Sequence, residues 1–83
     1  MAAITSDDVL DVIADEAPVE RDALDPSATL ESLGVASLDV ISVLFTLEDR
    51  FGVVVQTEDV EGVATLQQFI DVVLAKAGIA QAV

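Results

Sequence analysis

Apolar residues recur at helical spacing in three stretches of the chain. In the first, Val9, Val12 and Ile13 follow Thr5-Ser6-Asp7-Asp8. Either hydroxyl suits an N-cap, and the two aspartates suit the positive end of a helix dipole. Pro18 disfavours a helical residue before it, so the pattern predicts a helix over about 6–16. The second stretch is apolar nearly all round: Leu38, Ile41, Leu44, Phe45, Leu47 and Phe51, widened by Val40 and Val43. With Ser37 as a candidate cap and Gly52 as a candidate left-handed stop, a helix over 37–51 is predicted. Such a helix is buried on several sides or uses one side for binding. In the third, Thr65-Leu66-Gln67-Gln68 has the form of a capping box. Leu66, Phe69, Ile70, Val73 and Leu74 then form one stripe, with Lys76 in the last turn and Gly78 as the expected terminator.

Between the first two helices, residues 17–36 read as a long connection. Asp25-Pro26-Ser27 is a turn signal, and Val19, Leu24, Leu30, Leu33 and Val35 are scattered through it. A 20-residue loop in so short a chain is unusual and is expected only if those side chains pin it to the core. Residues 53–56, Val-Val-Val-Gln, are strand-like locally, but no second strand signal matches them, so a short extended connector is expected. Thr57-Glu58-Asp59-Val60 suits one or two helical turns ending at Gly62. The expected fold is all-α: a four-helix bundle of three main helices and one short helix, with a long loop between the first two main helices. Residues 1–83 read as one domain with a core over about 6–76 and frayed residues from 77 to 83.

Composition narrows the chemistry. The 83 residues include no Cys and no His, which removes thiolate sites, His-based triads and most zinc and haem sites. Phe is the sole aromatic type, so stacking platforms for single-stranded nucleic acid are not expected. Sixteen Asp and Glu against three Lys and Arg give a formal charge of −13. That surface repels phosphate backbones and anionic lipid and favours basic partners. The chain is nevertheless 53% hydrophobic, with a mean hydropathy of +0.63, too apolar for a solvating tail. No leader pattern and no stretch approaching ~20 apolar residues is present, so a soluble, cytoplasmic monomer without membrane insertion is expected.

Ser37 is the candidate reactive group. It follows the glycine-bearing segment Leu33-Gly34-Val35-Ala36 and opens the second helix, where free amides and the dipole favour a phosphate. Taken alone, a serine there is more often a simple cap. Nothing nearby in the sequence activates its hydroxyl, so chemistry at Ser37 requires another enzyme. Glu58, Asp59 and Glu61 offer a loose site for Mg²⁺ or Ca²⁺, but acidic residues at one helix end are more often a solvated face, and no metal site is expected. A chain of this length is expected to leave little room for a cleft of the ~300 Å³ or more typical of substrate sites.

Leu33-Gly34-Val35-Ala36-Ser37-Leu38-Asp39, then Leu47-Glu48-Asp49-Arg50-Phe51-Gly52-Val53, then Thr65 with Phe69, resembles the acyl carrier protein family over roughly Val9 to Leu74. The family form is LG-x-DSLD, later LE-x-x-F-G, with Val55 here where Ile is usual. The resemblance implies a four-helix bundle that is not an enzyme. A phosphopantetheinyl transferase would attach 4′-phosphopantetheine from coenzyme A to Ser37, and acyl groups would ride on the arm as thioesters. It implies a partner face of Leu38, Asp39, Ile41, Phe45, Glu48 and Asp49 for basic acyl-transferring or condensing enzymes. It also implies an acyl pocket near the second helix, assigned to Leu44, Leu47, Val55 and Phe69. The chain departs from the family at Ala36, where Asp is usual and contacts the transferase and its metal. It departs again at Ser42 and Arg50, where standard fatty-acid carriers often show Glu. These departures suggest a specialised lipid, polyketide or peptide pathway. Two competing readings are an unmodified acidic interaction module, which leaves the Gly34–Ser37 arrangement unexplained, and an aminoacyl or peptidyl carrier. Gly34-Val35 in place of a Gly-Gly pair argues mildly against the latter.

Overall fold

The computed structural model describes residues 4–17 and 19–81, with side chains placed up to Ala77. Helix α1 spans Ser6–Glu16, α2 spans Ser37–Phe51 and α3 spans Leu66–Gln81. Short 3-10 turns lie at Arg21–Ala23 and Thr57–Val60. Among the described residues there is no strand; an isolated bridge joins Thr29 and Thr65. The expected all-helical architecture is present, with the short fourth helix reduced to a single 3-10 turn.

Each start has a local cause. Thr5 caps α1: its Oγ1 accepts from the Asp8 amide at 3.3 Å, while the Asp8 carboxylate accepts the Thr5 amide at 3.0 Å. Thr65 and Gln68 repeat the arrangement at α3, and Gln68 Oε1 also accepts the Ala64 amide at 2.8 Å. Helix α2 ends at Gly52, whose φ of 69° lies in the left-handed region that a side chain disfavours. Its amide donates to the Glu48 carbonyl at 2.9 Å and so closes the last turn. Ala17 is extended at the end of α1, as a residue before proline prefers; Pro18 itself lies outside the described residues.

One hydrophobic cluster joins the three helices. It contains Val9, Val12 and Ile13 of α1, Val43, Leu44 and Leu47 of α2, and Leu66, Phe69, Ile70 and Val73 of α3. Helix α1 packs against both α2 and α3. Val53 and Val55 are buried while Val54 is exposed, the alternation of an extended connector. The long loop is pinned as expected, with Leu24 and Val35 buried and Val19, Leu30 and Leu33 packed on the core. It is also tied by its backbone. The Leu66 and Gln67 amides, in the unpaired first turn of α3, donate to the Ala28 and Pro26 carbonyls at 3.0 and 2.9 Å. The Leu30 amide donates to the Ala64 carbonyl at 3.1 Å. Arg21 holds the loop to α1 through Asp7 at 3.1 Å and Asp11 at 3.0 Å.

The end of α3 differs from expectation. The helix does not stop at Gly78 but continues to Gln81, and Ala77 is buried. A glycine inside a helix costs only about 1 kcal/mol relative to alanine, which neighbouring turns offset. Residues 79–81 are therefore helical where fraying was expected; 82–83 lie outside the described residues.

Candidate functional site

The serine at the start of α2 is not its cap. Ala36 holds the N-cap position, and Ser37 is the first helical residue. The Asp39 carboxylate accepts the Ala36 amide at 3.0 Å, which is half of the box seen at α1. The other half is missing, because alanine offers no side-chain oxygen to the Asp39 amide. Ser37 is exposed, and among the described residues its hydroxyl makes no hydrogen bond. The expectation that this hydroxyl caps the helix is corrected: Asp39 fixes the start one residue earlier. The site thus presents a free hydroxyl beside first-turn amides that lack intrahelical partners, at the positive end of a 15-residue helix.

Gly34 shapes the approach. Its φ of 83° turns the chain into α2, and the Val35 amide donates back to the Leu30 carbonyl at 2.9 Å. This leaves a cleft of about 480 Å³ between the loop, the first turn of α2 and the segment that follows it. Ser37 lines the cleft together with Leu30, Val35, Val40, Val60 and Val63. The expectation that so short a chain has little room for a cleft is therefore corrected. The loop, pinned by its own apolar residues and by α3, stands off from the start of α2.

The residues assigned to an acyl pocket are distributed differently. Leu44 and Val55 line a second, smaller cavity of about 220 Å³, bordered also by Ile41, Phe45 and Val54. Phe69 is buried and lines a tight crevice with Ile13, Leu30, Val35, Val40 and Val43. Leu47 is fully buried in the core and lines none of these spaces. The cleft-lining residues that sequence reasoning missed come from the loop and from 60–63. Their apolar side chains were visible, but their convergence on Ser37 depends on the loop's path.

The residues expected to meet a partner lie along α2. Leu38 is 76% exposed and Phe45 65% exposed, with Ile41 at 36%. Glu48 and Asp49 are exposed near the far end, and Asp39 is half-buried at the start. Arg50 pairs with Asp15 at 3.3 Å, so its charge is spent against α1. Asp59 pairs with Lys76 at 3.3 Å. The Gln56 amide donates to the Asp59 carboxylate at 3.0 Å and, with Lys76, holds its pKa below the usual carboxylate value. Among the described residues no three acidic side chains converge as a metal site would require, and no helix is long and apolar enough to cross a membrane.

Comparison with known proteins bears on this site. A family model for the phosphopantetheine attachment site matches residues 7–73. The acyl carrier protein of Chlorobium phaeovibrioides is 35% identical over 71 residues, covering 84% of this chain and 91% of that protein. That of Chlorobium luteolum matches to the same extent. That of Chlorobium phaeobacteroides is 35% identical over 69 residues, covering 82% of this chain and 88% of its own length.

Proposed function

This chain belongs to the acyl carrier protein family, whose cofactor is covalent 4′-phosphopantetheine, and from that premise we propose that Ser37 carries the arm. One observation carries the assignment: of the five serines in the sequence, Ser37 lines the large cleft, among the described residues, and its hydroxyl is free. Ser32 donates its hydroxyl to the Thr29 carbonyl at 2.9 Å, and Ser42 is half-buried within α2. Ser6 and Ser27 are exposed but do not border the cleft.

The residues present fit the group. The first-turn amides and the dipole of α2 favour a phosphodiester on Ser37. In the attachment, the Ser37 oxygen attacks the phosphorus that bears pantetheine in coenzyme A. A new P–O bond forms, the P–O bond to adenosine 3′,5′-bisphosphate breaks, and the hydroxyl proton leaves. Among the described residues no side chain is hydrogen-bonded to the Ser37 hydroxyl as a base: the chain has no His, and Asp39 is engaged with the Ala36 amide. A phosphopantetheinyl transferase must supply the base. Once attached, the arm provides the thiol that a chain without Cys lacks and holds acyl groups there as thioesters.

The outer face of α2, with Leu38, Ile41 and Phe45 flanked by Asp39, Glu48 and Asp49, is the docking face for basic acyl-transferring or condensing enzymes. Ala36 and the paired Arg50 support a restricted partner set, serving a specialised lipid or polyketide pathway in place of bulk fatty-acid synthesis. The test is intact mass after incubation with coenzyme A and a transferase. Wild type gains one phosphopantetheinyl group. Ser37→Ala gains none and keeps its helical circular dichroism, with a stability change within about 0.5 kcal/mol because Ser37 is not the cap. Modification of the variant would remove the assignment.

A further inference from the structure

The two cavities beside α2 share a wall. Ile41 and Thr57 line both the 480 Å³ cleft that holds Ser37 and the 220 Å³ cavity that holds Leu44, Phe45 and Val55. Ile41 sits one helical turn after Ser37, and Phe45 one turn further on, so the three follow one face of α2. The first cavity falls within the range of ligand sites, about 300–1,000 Å³, while the second alone falls below it. Both wall residues are β-branched. An isoleucine in a helix has one strongly preferred χ1 rotamer, so it does not swing aside as a leucine or methionine would.

We propose that Ile41, with Thr57, is the partition that limits how long an acyl chain this carrier shelters. The proposal rests on Ser37 as the attachment site. A saturated chain tethered through Ser37 gains free energy for every methylene it removes from water. That gain continues within the first cavity and stops where the chain meets Ile41. The second cavity, lined by the apolar Leu44, Phe45, Val54 and Val55 together with Glu48 and Gln56, becomes usable only when the wall is lowered. Ile41 is thereby a length-determining residue for cargo, separate from its place on the docking face.

The experiment loads the protein with a graded series of saturated acyl-phosphopantetheine groups, supplied as acyl-coenzyme A with a permissive transferase. Loading is confirmed by mass before any melt. The readout is the thermal midpoint of each acyl form relative to the unacylated, arm-bearing form of the same variant. In wild type the increment rises with chain length and then levels. In Ile41→Ala it levels at a longer chain, and in Ile41→Val it shifts the same way by less, which keeps the test decisive if the alanine variant folds poorly. Phe51→Ala, which lines neither cavity, levels where wild type does. An unchanged plateau in both Ile41 variants, or no plateau in wild type, overturns the partition. Absence of loading at Ser37 of the wild-type protein overturns the attachment reading instead, so the two failures are distinguishable.

Discussion

Ala36 and Asp39 decide how α2 begins. The Asp39 carboxylate satisfies the Ala36 amide, yet the Asp39 amide receives nothing from an alanine. Thr5 and Thr65 perform that task at α1 and α3. Ala36→Thr should therefore add the missing bond and stabilise the protein by about 1 kcal/mol in chemical denaturation. It should leave the rate of arm attachment by a general-purpose transferase unchanged. Ala36→Asp should provide a similar cap and also raise the initial rate, because it restores the carboxylate expected beside the attachment site. Equal rates for the two variants would show that Ala36 affects the helix start alone. The candidate serine is legible in the sequence from Gly34, Ser37 and Leu38, but the residue that caps the helix is not. Serine is a favoured cap, and the better signal lay three residues after Ala36. A carboxylate or amide side chain accepts the cap-position amide at Thr5–Asp8, Ala36–Asp39, Gln56–Asp59 and Thr65–Gln68 alike.

Helix α2 divides its apolar residues between two tasks. Val43, Leu44 and Leu47 are buried in the cluster that packs on α1, whereas Leu38 and Phe45 remain largely exposed. Phe45→Ser should change folding stability by only about 0.5–1 kcal/mol. Transfer of cargo to a cognate partner should fall at least about tenfold, which corresponds to the loss of roughly 1.4 kcal/mol of binding. If the variant unfolds instead, Phe45 belongs to the core and the docking face loses its anchor. The bounds of α1 were readable because a capping threonine and Pro18 bracket its apolar pattern, and those of α2 because Gly34 and Gly52 bracket its own. The turn at Arg21–Ala23 was not, since Arg21-Asp22-Ala23 carries no periodicity. Its place follows from the buried Leu24 that ends it, with exposed ion pairs from Arg21 to Asp7 and Asp11, 10–14 residues away, adding little. The end of α3 was missed for a different reason: a glycine permits termination and does not compel it.

Across the whole molecule, charge is uneven. All three cations are committed, Arg21 to Asp7 and Asp11, Arg50 to Asp15 and Lys76 to Asp59. The other carboxylates are left to repel one another. Raising NaCl from 0.01 to 0.15 M shortens the screening length from about 30 to 8 Å, and the thermal midpoint at pH 7 should rise. A midpoint that falls would mean that the four ion pairs outweigh the repulsion. Acid acts separately at Asp59. Its folded pKa lies below its ordinary 3.8, so its stabilising contribution is present above that value and is lost as pH falls through the folded pKa. The acidity and helical class were plain from composition and pattern. The cleft was not, because it is a gap between a loop and a helix whose separation is set by backbone bonds to α3. Mapping the modification within the chain decides whether Ser37 bears the arm. Cleavage after Arg21 and Arg50 isolates one peptide, residues 22–50, that holds Ser27, Ser32, Ser37 and Ser42 together. Fragmentation of that peptide from the modified wild-type protein should place the phosphopantetheinyl group on Ser37 alone. Its appearance on any other serine, or its absence from this peptide in a modified protein, would contradict the account.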